Sequence, residues 1–305
     1  MSREITAGSA RYSCPCAASS PFYHPLPAKV LLCGFCGQPV VASIRISRAL
    51  QQELAAATWQ GSTAFGQRAA EFITSTMSLS ARAVSPTSAI GKAITRALGS
   101  GREWKFEHRN FGHMVGRPGL ASSDVKSKAA LRRGLARSRT QNGKLGLQFA
   151  PNDRDPRVLG RLVEAEFQTR AARRIDKKLL SLQKVRGRIQ HPALRIEVSV
   201  SADGTFTRCR PTEVKSVQPG QPTEKFFGKL VETIHQTAQQ AMLLGASEAL
   251  VVFIERRFDG RGRWFAVLLE DGLVEFHNET VAKWMRQGFD RTPRIGNVER
   301  QGCES

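Results

Sequence analysis

The sequence predicts an α/β chain: a mixed central sheet flanked by helices, preceded by a largely irregular N-terminal region. Three observations carry this. The stretch 194–255 alternates strand and helix signals: the β-branched run LRIEVSV, the turn dipeptide Asp203-Gly204, the return TFTRCRPTEVKSV, a helix-period segment 223–244, and EALVVFIE. An apolar run as short as EALVVFIE, bounded by turn signals, predicts a buried strand. Next, RWFAVLLE (263–270) and LVEFH (273–277) flank Asp271-Gly272 and predict a hairpin, followed by a helix capped by Asn278. Lastly, 41% hydrophobic residues in 305 are enough for a sizeable core.

Charge narrows the partners. Lys and Arg number 46 against 26 Asp and Glu, a formal net charge of +20. Such a field attracts polyanions, because neutralised phosphates release their condensed counterions. Nucleic acid is the expected partner, DNA foremost, with an anionic membrane surface the competitor. No apolar run is long enough to span a bilayer, and the N-terminus lacks the basic, apolar and small-residue succession of a signal peptide. Six cysteines are too sparse for a disulfide scaffold, which points to a reducing interior, the bacterial cytoplasm.

Composition divides the chain into residues 1–76, 77–153, 154–290 and 291–305. The first holds Cys14, Cys16, Cys33 and Cys36, two thiol pairs separated by a loop. That is a candidate tetrahedral Zn²⁺ knuckle, or else four unrelated thiols on a leader. Residues 44–72 have helical character, and Met77 is an alternative start. Residues 77–153 read as a linker with short helical pieces and a basic run from Lys126 to Lys144, free of acids between Asp124 and Asp153. One-signed runs of this kind serve as solvated faces or nucleic-acid arms. His108 and His113 have no further ligand type nearby. The tail 291–305 is expected to be disordered.

Asp155-Pro156 predicts a helix start, and Leu159, Leu162, Val163 and Phe167 recur at helical spacing towards residue 185. At 100° per residue Glu166 falls inside this apolar stripe and Glu164 points away. A carboxylate facing a core requires a partner, which makes Glu166 a candidate site residue.

The acids of the central segment suggest a chemistry. Glu197 lies on one predicted strand; Glu213-Val214-Lys215 on the next puts an acid and a lysine on one face. Two carboxylates suffice for Mg²⁺, which prefers hard oxygen ligands and keeps several waters. A bound metal would activate water and stabilise charge on a phosphoryl group, with the lysine orienting or deprotonating that water. A loop at 202–204 would pair Ser201 with Thr205 and hence Glu197 with Cys209. That leaves Glu213 four residues, roughly 13 Å, away, so a bulge near Arg210-Pro211 is required. Asp203, at the supposed hairpin tip, would stand about 30 Å from Glu213 and is set aside.

RIEVSVSADGTFTRCRPTEVKS (195–216), the following helix with Gln236, Gln239 and Gln240, and the strand ALVVFIE together resemble the PD-(D/E)XK, or restriction-endonuclease-like, nucleases. The resemblance spans about residues 155–256. It implies that Glu213 and Lys215 are the Glu-x-Lys pair, that Glu197 takes the first acid position, and that Glu166 is the acid of the preceding helix. Gln236 would be the helix glutamine beside the site. The expected activity is Mg²⁺-dependent endonucleolytic hydrolysis of DNA. The alternatives are a catalytically silent nucleic-acid-binding protein of the same fold, and an adaptor built on the Cys knuckle.

Overall fold

The computed structural model describes residues 5–7, 10–13, 23–25, 31–33, 41–44, 48–99, 109–111, 119–139, 156–207, 209–217, 223–255 and 261–288. The chain opens with β1 (Ile5–Ala7), β2 (Ala10–Ser13), β3 (Tyr23–Pro25), β4 (Leu31–Cys33), β5 (Val41–Ile44), α1 (Arg48–Ala55), β6 (Thr58–Gly61) and α2 (Thr63–Met77). Next come β7 (Ala81–Ala83), α3 (Ala89–Leu98), β8 (Arg109–Phe111), β9 (Leu120–Ala121), α4 (Lys128–Arg139) and α5 (Pro156–Arg174). The central segment is β10 (Leu180–Ser181), β11 (Val185–His191), β12 (Ile196–Ala202), β13 (Gly204–Phe206), β14 (Arg210–Val217) and α6 (Thr223–Leu244). Last are β15 (Ala249–Glu255), β16 (Arg261–Leu269) and α7 (Leu273–Arg286).

The main sheet is mixed and runs β10-β13-β14-β15-β16-β6, with β7 also on β16. β14 and β15 are parallel, joined by the α6 crossover, and β15 with β16 is antiparallel. Every residue of β15 is buried, the signature of a strand covered on both faces. On one face Leu250, Val252 and Ile254 meet Ile94 and Leu98 of α3 and Val163 and Phe167 of α5. On the other, Val251 and Phe253 meet Ile73 of α2 and Leu230 and Ile234 of α6. The result is helices on both sides of one sheet.

A second sheet, β11-β12-β9, packs its apolar face (Val198, Val200, Leu120) against Leu131 of α4 and Val281 of α7. No helix among the described residues is long and apolar enough to cross a membrane.

Several expectations are revised. The boundary near residue 76 falls inside α2, whose Ala69, Ile73 and Met77 are core, while β6 and β7 are strands of the main sheet. Part of the basic run is no free arm: Leu131 of α4 is buried and Lys126 pairs with Glu232 at 2.6 Å. α5 ends at Arg174 rather than near 185, since Leu180–Ser181 form β10 and β11 begins at Val185. LVEFH is no strand but the start of α7, where Leu273, His277 and Val281 bury one helical stripe. Gly272, at φ 87°, turns the chain into that helix. The Cys pairs lie outside the described residues, apart from the backbone of Cys33 at the end of β4.

His191 of β11, His235 of α6 and His277 of α7 form a buried chain where the two sheets and α7 meet. Nε2 of His191 lies 2.9 Å from Nε2 of His277, and Nδ1 of His277 lies 2.9 Å from Nδ1 of His235. Burial pushes His191 and His235 down to about 4, and His277 well below its ordinary value. With folded values below the unfolded 6.5, the cluster contributes stability above pH 6.5 that is lost as pH falls towards 4. His191 and His235 should each cost roughly 2 kcal/mol between pH 6.5 and 5. Denaturant titrations at stepped pH should show the loss, and His191→Phe should flatten it; an unchanged slope in that variant refutes the assignment.

Candidate active site

The site forms where the two sheets part. β12 pairs with β11 up to Val185↔Ala202, and the same strand direction continues as β13, which pairs with β14 instead. The chain reverses between β13 and β14, with Cys209 left-handed at φ 67°, not at Asp203-Gly204. The register Gly204↔Thr212, Thr205↔Pro211 and Phe206↔Arg210, carried one residue further, sets Asp203 opposite Glu213. Ten residues of chain therefore return as a cross-strand neighbour, where side chains stand about 5 Å apart at Cβ. Pro211 precedes the first residue of the β14–β15 ladder, Thr212↔Leu250, so its missing N–H costs that ladder nothing.

Beyond Thr212 the edge of β14 has lost β13 as a partner. Its inward N–H groups would be orphaned, which is expensive in a buried place. Two carboxylates take the strand's place. The Val214 N–H donates to Oδ2 of Asp203 at 3.1 Å, and the Ser216 N–H donates to Oε1 of Glu164 at 2.6 Å. The backbone thereby fixes both acids. Gly204 supports the arrangement, because a Cβ there would overlap the carbonyl oxygen of Ser181 in β10. Gly204→Ala should cost about 1–3 kcal/mol, read as a lowered Tm; a fully stable variant contradicts this.

Glu213 and Lys215 point to the α6 side of β14. Oε1 of Glu213 accepts from the Lys215 ammonium, and Oε2 accepts from Nε2 of Gln240 at 2.6 Å. The same Gln240 amide donates to the Ser201 carbonyl at 2.9 Å, tying α6 to β12. Glu213 is buried, while about a fifth of the Lys215 and Asp203 side chains stays accessible (22% and 19%). The cluster therefore opens to solvent through the lysine and the aspartate.

Its electrostatics follow from crowding. Burial, and after it the Asp203 charge, raise Glu213 to about 7 against the pull of Lys215. Burial likewise raises Glu164, opposed by Lys215 and by the Ser216 N–H. Burial alone would lower Lys215, but the charges of Glu213, Glu164 and Asp203 outweigh it and hold the ammonium protonated. Three carboxylates thus act on Lys215, with Lys184 beside Asp203 and Lys229 acting on Glu164.

Of the expected site residues, the structure brings Glu213 and Lys215 together. Glu197 lies elsewhere: it is exposed on β12, opposite Gln190 of β11, and pairs with Arg188 at 2.9 Å. β12 never pairs with β14, so no bulge can join Glu197 to Glu213. Glu166 is buried, as its place in the stripe requires, but the helix acid acting on Lys215 is Glu164. Glu164 sits at the stripe's margin, close enough for its carboxylate to reach the strand edge. Gln236 is half-buried; Gln240, one turn along the same helix, is the glutamine in contact. The signal for Asp203 was present in the sequence as an acid ten residues before Glu213, misread because Asp-Gly resembles a hairpin tip.

Magnesium suits this donor set. The oxygens are hard, and the Asp203 carboxylate is near enough to Glu213 for its charge to raise that group's pKa. Among the described residues no three His, Cys, Asp or Glu form a metal-holding group; Mg²⁺ needs only one or two carboxylates beside its waters.

No family model matches the chain, and no curated protein matches it. Among solved structures, an alkaline exonuclease from Laribacter hongkongensis is similar at 15% identity and a TM-score of 0.37, over 56% of this chain and 87% of that one.

Proposed function

We propose that this chain is a metal-dependent nuclease that hydrolyses DNA phosphodiester bonds at the Asp203–Glu213–Lys215 cluster. One observation carries the reading: two carboxylates and a charged lysine converge at a solvent-facing opening, held there by backbone N–H groups and Gln240 rather than by chance surface pairing. The net charge of +20 supports a polyanionic substrate.

Asp203 and Glu213 would hold Mg²⁺, which when bound supplies a water of lowered pKa and charge neutralisation at the phosphate. The chain's own groups do the rest. Lys215, held protonated, donates to a phosphate oxygen or to the attacking water and so acts by charge and orientation; an ammonium cannot take the water's proton. Glu164 is better suited to that, since burial has raised its proton affinity and only Oε1 is bound to Ser216. Gln240 keeps Glu213 from rotating away and links it to β12.

The test is direct. The purified chain, given millimolar Mg²⁺ or Mn²⁺, should cleave linear or supercoiled DNA and stop with EDTA. Retention of DNA without cleavage of single-stranded, linear or supercoiled DNA in either metal would favour a silent binding protein instead.

A further inference from the structure

The cluster lies at one end of a basic stripe. Along β11 the side chains alternate, so that Arg186 and Arg188 are exposed together, and Lys184 just before the strand is exposed as well. The ladder Val185↔Ala202 places Lys184 beside Asp203, and their charged atoms are 3.8 Å apart. Arg186 and Arg188 face Ser201 and Ser199 of β12. The opposite face of β12, Val198, Val200 and Ala202, is buried. Three cations thus leave the acid cluster in steps of two residues, about 6.7 Å each, with two serine hydroxyls beside them.

We propose that this face of the β11–β12 ribbon is a track for the phosphate backbone of the DNA strand entering the Asp203–Glu213 site. Charge complementarity selects the occupant, and the step of an extended strand is close to that of successive phosphates. Among the described residues no acid is set against Arg186. Arg188 has Glu197, but both side chains are more than half exposed (68% and 56%), and an exposed pair of this kind is exchanged readily. Glu197 becomes a competitor for the phosphate rather than a metal ligand.

The endpoint of the track rests on the nuclease reading, so binding is measured without cleavage. In EDTA, the affinity for a labelled DNA oligonucleotide is followed as salt is raised. The variants are Arg186→Ala/Arg188→Ala, Glu197→Gln, and Arg132→Ala/Arg133→Ala on exposed positions of α4 as a charge-matched control. The first should lose about tenfold or more in affinity at low salt, and its salt slope should fall by about 1.4–1.8, two phosphate contacts' worth. Glu197→Gln should bind several-fold tighter. If the β11 variant matches the α4 control, or Glu197→Gln binds more weakly, the track is wrong. Hydrolysis of bis(p-nitrophenyl) phosphate, too small to reach the stripe, should survive the β11 double substitution while DNA cleavage drops; equal loss of both overturns the track. Absence of any hydrolysis by the unaltered chain refutes the nuclease reading, and the salt slopes still decide the track.

Discussion

Asp203→Asn, Glu213→Gln and Lys215→Ala should each lower Mg²⁺-dependent DNA cleavage by about 10²–10⁴-fold, whereas Glu197→Ala should leave it within a few-fold of the unaltered chain. The contrast follows from position. Asn at 203 still accepts the Val214 N–H and Gln at 213 still meets Gln240, so both variants keep the local hydrogen-bond outline while losing the charge that would hold a cation. Lys215→Ala removes the ammonium that the charges of Glu213, Glu164 and Asp203 together hold protonated. Glu197 touches none of these groups, and its loss releases Arg188 alone. Cleavage rates at saturating Mg²⁺, with thermal unfolding as the folding control, check the set. Full activity in Asp203→Asn, or its loss in Glu197→Ala with the fold intact, would return the first acid position to β12.

A chain begun at Met77 should fail to fold. Such a chain lacks β6, which pairs with β16, and α2, which covers one face of the main sheet. Ile73 and Ala69 are fully buried against Phe265 and Val267, and Trp59 is buried in the opposite core. Burying one large apolar side chain contributes roughly 1.5–3 kcal/mol, and the surfaces they cover would be exposed too. The sum is comparable with the whole ~5–15 kcal/mol of a domain's stability. Size-exclusion behaviour and circular dichroism of the shortened chain should show aggregation or loss of a cooperative transition. A monomeric, cooperatively melting fragment would mean that β6 and α2 are dispensable.

The helix α6 and the strand β15 were legible because each carries a single unbroken period, and the crossover between them leaves few arrangements. The start of α5 was legible for the same reason, through Asp155-Pro156. What the sequence concealed was pairing. β12 shows the same alternation whether its neighbour is β14 or β11, so the separation into two sheets at Asp203 leaves no mark on it. Gly204 looked like a turn residue but is small because β10 passes against it. The early segments read as linker because α3 packs through Ala93 and Ala97 beside Ile94 and Leu98, and small residues give a weak apolar signal. Gln236 and Gln240 share a face of one helix, and only the third dimension decides which reaches the strand.

The short reversal between β13 and β14 has a consequence of its own. Because side chains alternate along a strand, one residue added or removed there that slipped the β13 ladder would swing Asp203 to the far surface of the sheet. The corner thus tolerates a change of residue better than a change of length, and a one-residue deletion there should separate Asp203 from Glu213.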